Sequence, residues 1–117
     1  MPSTTNYKRG DVVLVPFPFT DLRSAKQRPA LVISPDTLNS VRADLLLAGI
    51  TSQIPITPAV DEFLIPQDQL DACGLPKPSI VKLVKLVALH RSLVIKRIGS
   101  LPAPTLARAL AQIRALL

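Results

Sequence analysis

Ser79-Ile-Val-Lys-Leu-Val-Lys-Leu-Val-Ala-Leu89 is the stretch on which the fold turns. Read as a helix it makes an α-rich protein; read as a strand it is the long strand of a small β fold. Its apolar residues do not choose cleanly between a period of 3.6 and a period of 2. The β-branched valines favour the strand. Alternation then puts Ile80, Lys82, Val84 and Leu86 on one face, and Val81, Leu83, Lys85 and Val87 on the other.

Working upstream, other short β-rich runs surround it. Asp11–Val15 follows the turn signal Arg9-Gly10 and is expected to close at Pro16. A polar loop over residues 17–27 carries Phe17 and Phe19. A second strand over Pro29–Ser34 stops at Pro35-Asp36, and a loop around Asn39 leads to a buried third strand, Leu45–Ile50. A fourth strand is expected over Val60–Ile65, one helical turn over Gln67–Ala72, and a short sixth strand over Leu93–Ile98.

Downstream the period changes. Leu106, Ala109, Leu110, Ile113, Leu116 and Leu117 recur at helical spacing, so residues 104–117 predict an amphipathic helix. Pro104 suits its first turn, with Thr105 the available N-cap. A helix this short must dock on the sheet or on a second subunit. The expected fold is mostly β with a C-terminal helix, a small, twisted, largely antiparallel barrel. Residues 1–117 read as a single domain, with residues 1–7 a flexible N-terminus.

Bulk composition narrows the class. Hydrophobic residues make up 48% and aromatics 3%, so aliphatic side chains must fill the core. The lone Cys73 has no partner for an internal disulfide, which fits a reducing compartment. The N-terminus has no apolar run of signal-peptide type, and no stretch approaches the roughly 20 residues of a spanning helix. No membrane association is expected, and the expected location is the cytoplasm.

Charge is distributed unevenly within a net +6. Residues 51–76 carry four acids (Asp61, Glu62, Asp68, Asp71) and no Lys or Arg, whereas residues 77–117 carry eight Lys or Arg and no acid. Such a split suggests a positive surface for a polyanion or an acidic protein. A solvated basic face is the alternative.

The residues exclude several chemistries. One His, one Cys and eight scattered acids offer no metal-ligand spacing, so no metal or other cofactor is expected. There is no phosphate-binding glycine loop, and Ser/His/Asp catalysis would rest on His90 without a nucleophile elbow. Two-histidine acid–base cleavage needs a second histidine. What remains is an arginine-centred site. RNA brings its own nucleophile, the 2′-OH, so a protein need only align it, stabilise the phosphorane and help protons move. Arg suits the second task because its fork of donors matches phosphate oxygens. Arg28, set before Pro29 at the start of a strand, is either such a ligand or a solvated strand end.

Arg9-Gly-Asp-Val-Val-Leu14, Lys26-Gln-Arg-Pro-Ala-Leu-Val-Ile-Ser34, Gly49-Ile-Thr-Ser-Gln53 and Lys77-Pro-Ser-Ile-Val-Lys82 together resemble the MazF/PemK toxin family, over about residues 7–117. The resemblance implies an SH3-like small β-barrel of the CcdB/PemK plasmid-maintenance type, acting as a homodimer. It implies the toxin of a type II toxin–antitoxin system. Such a toxin is a metal-independent endoribonuclease that cuts single-stranded RNA, mRNA being the expected class. The products carry a 2′,3′-cyclic phosphate and a 5′-OH. It also implies a cognate antitoxin with an acidic segment.

By the same resemblance Arg28 and Thr51 are the catalytic pair. Ser52, Lys26, Gln27, Phe17 and Lys82 are the expected RNA-binding residues. Thr51 and Ser52 otherwise cap a turn, Lys82 otherwise snorkels from a core strand, and Phe17 otherwise plugs the barrel. Val84 stands where some relatives carry an acid that serves as base, with His90 a candidate replacement. Two other functions fit the fold: a CcdB-like poison acting on DNA gyrase, and a catalytically silent RNA- or DNA-binding protein.

Overall fold

A computed structural model describes residues 6–17 and 26–117, apart from the side chain of Phe17. In chain order the elements are β1 (Asp11–Phe17), β2 (Lys26–Val32), α1 (Asp36–Asn39), β3 (Asp44–Thr51), β4 (Glu62–Leu64), α2 (Leu70–Cys73), β5 (Ile80–His90), β6 (Lys96–Ser100) and α3 (Ala103–Leu116). Single 3-10 turns precede α2 and β6. The long valine-rich run is therefore a strand. The strands form one antiparallel sheet in the order β4-β5-β3-β2-β1-β6. Its edge strands β4 and β6 do not pair with each other, so the mostly-β fold with its terminal helix stands but the sheet is not closed into a barrel.

Both faces of the sheet are apolar near its centre, because successive residues of a strand point to opposite sides. Val12, Leu31, Ala48, Ile50, Val81 and Leu83 face one side, where α3 docks Ala109 and Ile113 and partly buries Leu106 and Leu110. Val13, Val15, Ala30, Val32, Leu45 and Leu47 face the other, covered by Tyr7, Val87, Leu89 and Val94. Thr105 does not cap α3. It is buried within the first turn, and Pro102 holds the N-cap position without a side-chain bond.

Simple alternation fails within β5. Ala48 pairs with Leu86, but its neighbour Gly49 pairs with Lys82, so Leu83, Val84 and Lys85 have no counterpart on β3. This wide bulge resets the faces: Val81 and Leu83 join the helix-side core while Val87 joins the opposite one. The expectation that these three share a face is thus corrected. At Pro16 the strand does not close either, since Pro16 and Phe17 continue β1 opposite Gln27 and Lys26. The stretch around Asn39 is a short helix instead of a loop. The buried Asn39 amide donates to the Ser34 carbonyl (2.9 Å), and the Ser34 hydroxyl donates to Asn39 Oδ1 (2.6 Å).

The segment after α2 is locked against β6. Gly74 ends α2 with a left-handed φ of 71°. A Cβ built on Gly99 would lie 2.4 Å from the Ala72 carbonyl oxygen, so β6 and α2 meet backbone to backbone. This contact fixes Leu75–Ser79, which forms a wall of the site described next.

Candidate active site

Pro29 shapes the site through the donor it lacks. Ile33 donates to the Leu46 carbonyl on β3, whereas the Val32 carbonyl accepts from Gly10 on the β1 side. Backbone groups alternate along a strand, so the nitrogen of Pro29 faces β3. There it has no proton to offer Ile50. The β2–β3 ladder accordingly ends at Ala30–Gly49. Continued by two residues, the same register would set Arg28 directly opposite Thr51. These two side chains therefore stand across the point where the sheet opens.

Two hollows meet at that opening. The first, of about 270 Å³, is lined by Arg28, Gly49, Thr51, Gln53, Lys82 and Lys85. A second, of about 440 Å³, also touches Arg28, Ile50 and Thr51. Leu14, Pro29 and Leu75 give it an apolar floor, and Gln27, Ser52, Lys77 and Lys96 a polar rim. By strand alternation the first opens on the face of Ala30 and the second on the face of α3. Among the described residues the charged side chains that line the two hollows are all cationic, an arrangement suited to an anion.

Each side chain has a definite role in this geometry. Arg28 is exposed at the edge of both hollows. Thr51 Oγ1 accepts the Gln53 N–H at 3.1 Å, which is a turn cap. That bond uses a lone pair and leaves the hydroxyl proton free to be donated into the cleft. The capping and ligand roles of Thr51 are thus compatible. Lys82 lies opposite Gly49 on β3 and Glu62 on β4, and its ammonium is 2.7 Å from Glu62 Oε2. The hydrogen bond from Lys82, followed by one from the Ala59 N–H, holds the Glu62 carboxyl below its usual value.

Of the residues expected from sequence, Arg28, Thr51, Ser52, Gln27 and Lys82 converge on the opening. Lys26 is exposed but lines neither hollow; it opposes Phe17 at the far end of the β1–β2 ladder. The side chain of Phe17 lies outside the described residues, as does Phe19. His90 does not supply the missing base within this chain. It pairs with Asp44 at the opposite end of β3 from Thr51, about 23 Å away along the strand. Its Nδ1 is instead 2.7 Å from the Ser92 hydroxyl and accepts the Ser92 N–H. Cys73 is buried away from the cleft, and burial pushes its thiol up, against a nucleophilic role.

Sequence reading missed Lys85, Lys77, Lys96 and Gln53. Strict alternation put Lys85 on the face opposite Lys82, and only the β5 bulge lets both line one hollow. The excess of cations after residue 76 was the available signal for Lys77 and Lys96.

Comparison with known proteins is consistent with this geometry. Residues 8–117 match the model of a family described as PemK-like, MazF-like toxin of type II toxin–antitoxin system. Over 80 residues, 68% of either chain, the sequence is 32% identical to endoribonuclease MazF6 of Mycobacterium tuberculosis. The same identity and coverage relate it to endoribonuclease MazF2 of Mycobacterium bovis. The fold matches that in a MazE–MazF crystal structure from Deinococcus radiodurans with a TM-score of 0.74, at 24% identity and 96% coverage of each chain. The M. tuberculosis toxin MazF-mt6 superposes with a TM-score of 0.66, at 21% identity, covering 90% of this chain and 96% of that one.

Proposed function

Because this chain belongs to the PemK-like, MazF-like family of type II toxins, we propose that its cleft binds single-stranded RNA and cuts it, with Arg28 and Thr51 at the scissile phosphate. The observation that carries this reading is their position. They face each other across the end of the β2–β3 ladder, between two hollows whose charged lining side chains are cationic. In the reaction the substrate's own 2′-oxygen attacks phosphorus and the bond to the 5′-oxygen breaks. The products are a 2′,3′-cyclic phosphate and, once protonated, a 5′-OH. Arg28 pairs with the phosphorane oxygens, where charge accumulates, and the Thr51 hydroxyl donates to another. Lys82 and Lys85 add positive charge on one side. The larger, apolar-floored hollow leaves Gln27 and Ser52 at its rim to contact the flanking nucleotide.

The protein acts in the cytoplasm as a homodimer with messenger RNA as its substrate, and an acidic segment of a cognate antitoxin competes for the same cations. Both RNA and antitoxin binding then weaken with salt. The test is incubation of the purified protein with a 5′-labelled, mixed-sequence single-stranded RNA in EDTA, beside Arg28→Ala. Fragments ending in cyclic phosphate, absent from the variant, support the reading. RNA that shifts on a gel yet stays intact points to the silent binder instead.

A further inference from the structure

Glu62 is an acid in direct contact with a cation of the cleft wall, Lys82. It sits on β4 directly opposite Lys82. Its Oε2 accepts the Lys82 ammonium at 2.7 Å, and its Oε1 accepts the Ala59 N–H at 2.8 Å. The backbone from Val60 to Glu62 is pinned to α3, where Gln112 Nε2 donates to the carbonyls of Val60 (2.8 Å) and Glu62 (3.1 Å). The Glu62 side chain is 10% exposed, against 28% for Lys82, so the carboxylate lies behind and the ammonium faces the cleft. Lysine is a flexible point charge that needs an anchor to hold one position.

We propose that Glu62 is a positioning residue, fixing the Lys82 ammonium on the cleft wall beside Arg28 and Thr51. The inference rests on the RNA-cleaving reading of that cleft. Glu62 does not take a proton itself: both its oxygens are engaged, and its lowered pKa makes it a weak base.

The test is a double-mutant cycle in single-turnover cleavage of a labelled single-stranded RNA, comparing the wild type with Glu62→Gln, Lys82→Met and the double variant. Gln keeps an acceptor for the Ala59 N–H, and a melting curve for each variant checks folding. Loss of position is expected to lower the saturated rate of Glu62→Gln by about 10- to 100-fold. RNA affinity should be unchanged or tighter, because a negative charge is gone. Lys82→Met should be similarly slow and the double variant no slower than it, since both changes break one unit. A merely structural Glu62 gives weaker RNA binding and effects that multiply in the double variant, and that result overturns the proposal. So does a Glu62→Gln protein that cleaves at the wild-type rate. A wild type that leaves every RNA intact instead removes the cleavage reading itself, and this proposal with it.

Discussion

Arg28 and Thr51 stand two residues beyond the last pair of the β2–β3 ladder, on opposite sides of the gap where the strands part. The last β2–β3 pair is Ala30–Gly49, and Pro29 denies Ile50 the hydrogen bond that would continue it. An arginine held by strand pairing on one side only, against Val15, keeps its backbone fixed while its guanidinium meets the opening.

Arg28→Ala should lower the single-turnover cleavage rate by at least about 100-fold, the usual cost of losing one preorganised donor to a developing oxyanion. Arg28 is exposed, so the melting free energy should change by less than about 0.5 kcal/mol. Arg28→Lys keeps the charge but not the fork and should remain far below wild type. Cleavage kinetics and thermal melts on the same preparations check both halves.

At Thr51 the hydroxyl caps Gln53 as well as facing the cleft. Thr51→Ser should retain most activity. Thr51→Val, equal in shape, should lose at least about tenfold in rate and about 1 kcal/mol in stability, because the Gln53 N–H loses its acceptor. A rate loss without any stability loss would show that the cap contributes nothing.

Pro29→Ala restores a backbone N–H that faces Ile50. The expected result is one more β2–β3 pair, a narrower opening and slower RNA cleavage. The fold should survive, with stability altered by less than about 1 kcal/mol. Hydrogen exchange reads this directly as protection at the new amide. Rapid exchange there together with unchanged activity would mean that something other than the missing donor parts the strands.

Gly99→Ala should destabilise the protein by about 3 kcal/mol, since overpacking against backbone has no flexible side chain to yield. The added methyl would meet the Ala72 carbonyl oxygen and the Cys73 backbone, both within 2.6 Å. Urea titration measures the loss. A near-neutral result would show that α2 shifts freely from β6.

The Glu62–Lys82 pair gives stability a predictable dependence on pH. The folded-state pKa of Glu62 lies below its ordinary 4.5. Such a group adds stability that is fully present above the unfolded value and is lost as pH falls through the folded one. The gap in Tm between wild type and Glu62→Gln should therefore hold steady above pH 4.5 and close below it. A gap that widens in acid would reverse the sign of the coupling.

Much of this was legible from particular residues. The valines of 79–89 marked a strand, the Leu/Ile spacing of the tail marked α3, and Arg28-Pro29 marked a special strand start. Thr51 and Arg28 were paired through family resemblance, since no local pattern says that residues 28 and 51 share a register. The β5 bulge was not legible. A two-residue period carries no sign of where three residues are looped out, so Lys85 was put on the wrong face. Lys82 appeared as a lone cation because its partner Glu62 comes from a three-residue strand twenty positions earlier. Barrel closure likewise depends on edge contacts that strand patterns do not encode.

Tyr7 is the only tyrosine in a chain that has no tryptophan. It packs against the Val13, Val15 and Ala30 side of the sheet, the side from which Arg28 and Thr51 project. Near-ultraviolet emission excited at the tyrosine band thus comes from a single fluorophore packed on the layer opposite α3. No engineered label is needed: its quenching or anisotropy follows the loosening of that layer alone, while far-ultraviolet dichroism follows the backbone as a whole. Where the two signals part during unfolding, the layer opposite α3 has come undone separately from the rest.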